Sequence, residues 1–210
     1  MTPQTVEFFF EFSSPYSYLA STQIPGIAAR HKAEVYWKPI VLGAVLNHVG
    51  SQMPAAIPAK GAYMLHDLRR WAEQYKVPIT MPAMFPVRSI TAHRAILAVK
   101  RDYDQAAMVR LIHACFRAYW VDGRDISNIE VLGDLIKSTG LDADRVLKNT
   151  QDPDIKGALR AFTDEALSRG VFGAPTMFVG DEMYWGNDRL QFVDGALARL
   201  SANEIKPLST

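Results

Sequence analysis

Val6, Phe8, Phe10 and Phe12 alternate with Glu7, Phe9 and Glu11 near the start of the chain. A period of two predicts a β-strand with one apolar face. The alternation stops at Ser13-Ser14-Pro15. Ser14 is there a natural helix N-cap, and Pro15 suits the first helical position, where its missing N–H costs nothing. The helix that follows is predicted to reach about Arg30, with Pro25 kinking it or ending it early. Glu34 to Ile40 reads as a second strand, so the chain opens as β-α-β, the start of an α/β unit.

The pattern then changes. From Pro58 to Asn149 the periodicity is helical and no strand is predicted. Met64, Leu68, Trp71 and Tyr75 share one helical face, and Met108, Leu111, Cys115 and Tyr119 share another. Ser127-Asn128-Ile129-Glu130 has the form of a capping box ahead of Val131, Leu132, Leu135 and Ile136. Asp152-Pro153 opens a further helix with Leu159, Phe162 and Ala166 inward, and Gly170 closes it.

Strands return after that. Thr176–Val179, a turn at Gly180-Asp181 and Met183–Trp185 predict a hairpin. Asp188 is then expected to cap a last helix, with Gln191 at its third position and Leu190, Val193, Leu197 and Leu200 inward. The order β-α-β, helical block, α-β-β-α is that of an α/β thioredoxin-like fold with an inserted all-helical domain. Its expected parts are residues 1–45 with 153–210, and 46–152 between them.

Composition changes this picture little. The 210 residues are 49% hydrophobic and 21% charged, enough to bury a sizeable core. The formal net charge is +1 with no block of one sign, so neither nucleic acid nor a membrane surface is expected as a partner. The first residues lack a basic stretch ahead of an uninterrupted apolar run, so no secretory signal is predicted and a cytoplasmic location is expected. One cysteine, Cys115, allows no internal disulfide and, on an apolar helical face, reads as packing. His31, His48, His66, His93 and His113 have no metal-ligand spacing, and no metal is expected.

Three stretches carry chemistry. Ser14-Pro15-Tyr16-Ser17 stands at the first strand-to-helix junction, where thioredoxin-like disulfide oxidoreductases keep Cys-x-x-Cys, and both cysteine positions are serines. Gly173-Ala174-Pro175-Thr176 looks like the thioredoxin segment whose cis-proline faces the active site. Trp185-Gly186-Asn187-Asp188-Arg189-Leu190 follows the hairpin. Together with Lys60-Gly61-x-Tyr63-Met64-x-x-Asp67-Leu68, they resemble the kappa-class glutathione transferases and, more closely, the bacterial 2-hydroxychromene-2-carboxylate isomerases. The chain departs from that pattern at Asn47, where a Lys is common, and at Ser51 and Arg88, where Asn is common.

The residue types fit a thiol cofactor. A free thiol has a pKa of about 8.5 and reacts as the thiolate. The first turn of the Pro15 helix favours an anion, and a serine hydroxyl can donate to sulfur without forming a disulfide with it. The resemblance therefore implies glutathione as cofactor, with Ser14 as the catalytic group. It implies further contacts from Ala174, Pro175, Trp185, Gly186, Asn187 and Asp188, the Asn187-Asp188 pair facing the γ-glutamyl end. It also implies a small aromatic carboxylate as substrate, isomerised without loss of glutathione in aromatic degradation, and a homodimer. Asn47 and Arg88 are the candidates for the substrate carboxylate. Plainer roles stand beside these: Ser14 and Asp188 as helix caps, Trp185 as hairpin packing, Arg88 as a surface residue. A kappa-like transferase or peroxidase and a non-catalytic thiol-binding module remain as alternatives.

Overall fold

A computed structural model describes residues 4–205, with side chains through Ser201. Strand β1 spans Thr5–Phe10, helix α1 Pro15–Arg30 and strand β2 Glu34–Pro39. Helix α2 (Leu42–His48), a 3-10 turn at Pro54–Ala56, and helices α3 (Pro58–Tyr75), α4 (Ile90–Asp102), α5 (Gln105–Trp120), α6 (Ile129–Ser138) and α7 (Ala143–Asn149) follow. Helix α8 (Pro153–Ser168), strands β3 (Thr176–Val179) and β4 (Glu182–Trp185), a 3-10 turn at Asn187–Arg189 and helix α9 (Leu190–Ile205) complete the chain. Among the described residues no strand lies between β2 and β3, and no helix is long and apolar enough to cross a membrane.

The sheet order is β2-β1-β3-β4. β1 runs parallel to β2, with Phe8 beside Trp37, and antiparallel to β3, with Phe8 beside Met177. β1 is thus central, and both its faces are covered, as expected for a strand between helical layers. Val6, Phe8 and Phe10 join one large core that runs through α1, α3, α4 and α5 without a break. Phe9 packs on the other face with Ile40, Val45, Ala166, Val171 and Phe178. Helix α2, which carries Val45, spans residues 45 and 46, where the two parts of the chain were expected to meet.

The buried second face explains why the strand's polar positions are not solvated. Glu7 pairs with Lys38 and Arg169 at the sheet surface, and Arg169 lies 3.7 Å over the Phe178 ring. Glu11 lies beyond the end of β1 and is buried with His93.

Several local expectations need correction. β1 ends at Phe10, leaving Phe12 in the turn that follows, whereas α1 does reach Arg30, with Pro25 inside it. The cap of α6 is Asn128, whose side chain accepts from the Glu130 and Val131 N–H groups, while Ser127 bonds to Asp125. Asn128 can accept two N–H bonds at once, and Ser127 is held by the preceding turn. Asp188 does not cap α9: it lies within the 3-10 turn, paired with Arg189. Leu200, expected to face inward, is exposed.

Candidate functional site

Ser14 caps α1 as its sequence implies. Its backbone is extended, and its Oγ accepts from the Ser17 N–H at 3.1 Å. The side chain is buried, and its hydroxyl donates to the Ala174 carbonyl at 2.9 Å. The Ala174–Pro175 bond is cis, as is Phe85–Pro86, which the sequence did not single out. Residues 160 positions apart therefore meet where β1 gives way to α1.

A cavity of about 660 Å³ opens over this junction, large enough for a small peptide or an aromatic acid. One wall is Ser13, Ser14, Pro15 and Tyr16 with Gly173 and Ala174. The facing wall comes from the inserted segment: Met53, Ile57, Lys60 and Tyr63, with Leu42 and Leu46 of α2 beside it. Phe172 and Trp185 close one end, their ring centroids 4.9 Å apart. Lys60 is the one cation among the lining residues, which include no acid.

The wall that carries Ser14 is braced from behind. Glu11 accepts from the Ser13 and Leu42 N–H groups, each at 3.3 Å, from the Ser89 hydroxyl, and from His93 at 3.0 Å. One carboxylate thus ties the turn before α1 to the starts of α2 and α4. Burial pushes the Glu11 carboxyl up, but the facing His93 imidazole and the hydrogen bonds from His93, Ser89 and Ser13 outweigh it and hold the pKa below its ordinary value. Phe12 stacks on His93 with centroids 4.8 Å apart, and its carbonyl accepts from the Trp120 indole at 2.8 Å.

Tyr16 links the two walls. Its hydroxyl donates to Asp67 of α3 at 2.9 Å, and burial with the nearby Asp67 carboxylate raises its pKa. Tyr16 is therefore a neutral phenol at any working pH.

Trp185 is held by close approach rather than by packing inside the hairpin. It is half exposed, and a Cβ at Gly173 would collide with its indole. Gly186 has φ +100°, and a Cβ there would meet the Asp188 carboxylate. Asn187 is buried; its carbonyl accepts from the Tyr75 hydroxyl at 3.0 Å.

Of the residues singled out from the sequence, Ser14, Ala174 and Trp185 line the cavity. Pro175, Gly186, Asn187 and Asp188 lie in the segments behind or beside that wall and are not part of its lining. Asn47 and Arg88 are exposed and are not brought to the cavity. Lys60, Tyr63, Phe85 and Phe172 are brought there instead. Lys60 and Tyr63 stood in a motif that carried the resemblance, without an assigned role. What could have signalled Lys60 is its place as a cation in the first turn of an amphipathic helix. Cys115 is buried at the interior of α5, where burial pushes its thiol up to about 12, far from reactivity.

Comparison with known proteins agrees with this fold. The DSBA-like thioredoxin domain model matches residues 5–198. The chain is 35% identical to a 2-hydroxychromene-2-carboxylate isomerase of Sphingobium xenophagum, over 92% of this chain and 98% of that one. It is 28% identical to glutathione S-transferase kappa 2 of Caenorhabditis elegans, over 93% and 92% of the two chains. A solved 2-hydroxychromene-2-carboxylate isomerase superposes with a TM-score of 0.84 at 30% identity, covering 98% of this chain and all of the other. The chain belongs to the DSBA-like thioredoxin-domain family, as a relative of its 2-hydroxychromene-2-carboxylate isomerases.

Proposed function

We propose that this protein is a glutathione-dependent isomerase that interconverts 2-hydroxychromene-2-carboxylate and trans-o-hydroxybenzylidenepyruvate. The observation that carries the reading is the Ser14 hydroxyl, fixed at the N-terminus of α1 against Ala174, at a position where a redox relative would hold cysteine. The donor set fits a thiolate: a helix N-terminus and one hydroxyl, with no acid among the lining residues to oppose negative charge. Bound there, glutathione would supply a thiolate nucleophile for reversible addition to the conjugated double bond and would be regained each turnover.

The chain's own groups have three tasks. Ser14 and the first turn of α1 hold the sulfur anionic. Met53, Ile57 and Phe85 give a flat substrate an apolar bed and exclude water from the reacting bond. Lys60 offers a carboxylate its partner, the task first assigned to Asn47 and Arg88. We assign the γ-glutamyl group to the end of the cavity that Trp185 lines, next to the Asn187-Asp188 turn.

The test is a spectroscopic assay of chromene ring opening with and without glutathione, with the glutathione pool measured in parallel. Ring opening that requires glutathione and leaves the pool constant supports the isomerase. Depletion of the pool by an electrophile or a peroxide, without ring opening, makes the protein a kappa-like transferase or peroxidase. Binding of glutathione with neither reaction leaves a thiol-binding module.

A further inference from the structure

The Ser14 hydroxyl has one hydrogen, and the Ala174 carbonyl already holds it at 2.9 Å. Its oxygen is engaged as well, accepting from the Ser17 N–H at 3.1 Å. The hydroxyl therefore cannot donate to a sulfur while it donates to Ala174. If it turns away, the carbonyl loses its donor, and a carbonyl in a partly enclosed site is costly to leave unpaired. Ser14 is buried, whereas Ala174 is only partly buried and is itself part of the cavity wall, which puts its backbone on the surface a bound ligand would meet.

We infer that Ser14 is a donor held in reserve: it is released to the sulfur only when an amide N–H of the ligand takes over the Ala174 carbonyl. This rests on the glutathione reading above and deepens it by naming the chemical class that the site activates. That class is thiols carrying a secondary amide N–H on the carbon next to the thiol-bearing one, as a cysteinyl residue does. A thiol without that N–H can occupy the cavity, but it meets a serine whose hydrogen stays on Ala174. The exchange conserves hydrogen bonds: ligand N–H to Ala174 O and Ser14 O–H to sulfur replace Ser14 O–H to Ala174 O and a ligand amide bonded to water. The thiol proton goes to solvent. Selection among thiols then comes from the donor's availability and not from the size of the cavity.

The experiment is an ultraviolet titration of the bound thiolate in the wild-type protein, extrapolated to full occupancy, with binding followed by calorimetry. Glutathione is compared with its depsipeptide analogue, in which an ester oxygen replaces the cysteinyl N–H and all else is kept. The bound glutathione thiol should ionise about one to two pKa units below the bound analogue, the size of one hydrogen bond to a charged acceptor. The same pair on Ser14→Ala should ionise alike, both near the analogue's value. Equal pKa values for the two ligands on the wild-type protein overturn the inference, as does a difference that persists in Ser14→Ala. Glutathione that does not bind at all overturns the glutathione reading, and this inference with it.

Discussion

The two walls of the cavity are made in different ways. The Ser14 wall is buried, polar and fixed by backbone geometry: Ser14 is 5% exposed, bonded to Ala174 and Ser17 and backed by Glu11. The wall from the inserted segment is apolar and open, built on a 3-10 turn and the start of α3, and its Tyr63 is 60% exposed. A group that must stabilise charge works only when its position is set beforehand, which burial and hydrogen bonding achieve. A surface that accepts a flat apolar molecule needs area and little else. On the proposed function, the thioredoxin part of the chain would hold the chemistry and the insertion would select what is brought to it.

The largest expected effect comes from removing the brace of the polar wall. Glu11→Ala leaves His93, Ser89 and the Ser13 and Leu42 N–H groups without their shared acceptor. Breaking a buried pair in this way should cost about 3–5 kcal/mol of stability, read from the urea midpoint. The sign of the pH dependence follows from the lowered Glu11 pKa. Its contribution is fully present above the ordinary carboxylate value of 4.5 and is lost as the pH falls through the folded value. Glu11→Gln should therefore lower stability at neutral pH and flatten the acid side of the profile. A variant that keeps wild-type stability and acid response breaks the contrast, since the polar wall then has no brace.

Ser14→Ala comes next. Losing one hydrogen bond to a charged sulfur should cost roughly 1.5–3 kcal/mol, or about one to two orders of magnitude in kcat/KM for ring opening. Losing the cap should cost about 0.5–2 kcal/mol of stability, which circular dichroism melting can separate from the loss of rate. Ser13→Ala is the control. Ser17→Ala is unsuited, although both residues follow the same junction in the sequence: Ser17 is buried, and its hydroxyl accepts from the Glu11 N–H at 3.4 Å. Wild-type activity in Ser14→Ala would return this residue to the role of a plain cap.

The same contrast governs what could be read from the sequence. Strand β1, the Ser14 cap, the Pro15 start of α1, the β3–β4 hairpin and the helical insertion all follow from local pattern, because short-range spacing decides them. The polar wall was legible for the same reason: Ser14 and Ala174 sit in short motifs with a fixed backbone context. The Glu11 brace was not. Glu11 looked like a solvated strand position, and only the tertiary approach of α4 buries it with His93. The insertion wall was the least legible. Its residues are spread over α2, the 3-10 turn and α3, and which of them face the cavity depends on how α3 packs across α1. Asn47 and Arg88 were chosen by their place in a motif, and a one-residue turn of a short helix or loop is enough to point a side chain outward. Asp188 misled in another way, since a 3-10 turn ahead of α9 displaced the expected cap.

The smallest effects should come from that outer wall, and they sharpen the comparison most. Lys60→Met removes the cation at the cavity while keeping the length of the side chain. An exposed charge pair is screened by water, so about 1 kcal/mol, or roughly a fivefold rise in KM, is expected. kcat should hardly move, because the contact binds substrate and transition state alike. Arg88→Ala and Asn47→Ala should change KM by less than about twofold, since surface changes away from a site seldom exceed 0.5 kcal/mol. The decisive quantity is the order of the three. Should Arg88→Ala raise KM more than Lys60→Met does, the substrate carboxylate lies at the outer rim and not at α3. The segment carrying Arg88 must then close over the cavity when substrate binds, and the open wall would be a moving part of the site instead of a fixed bed.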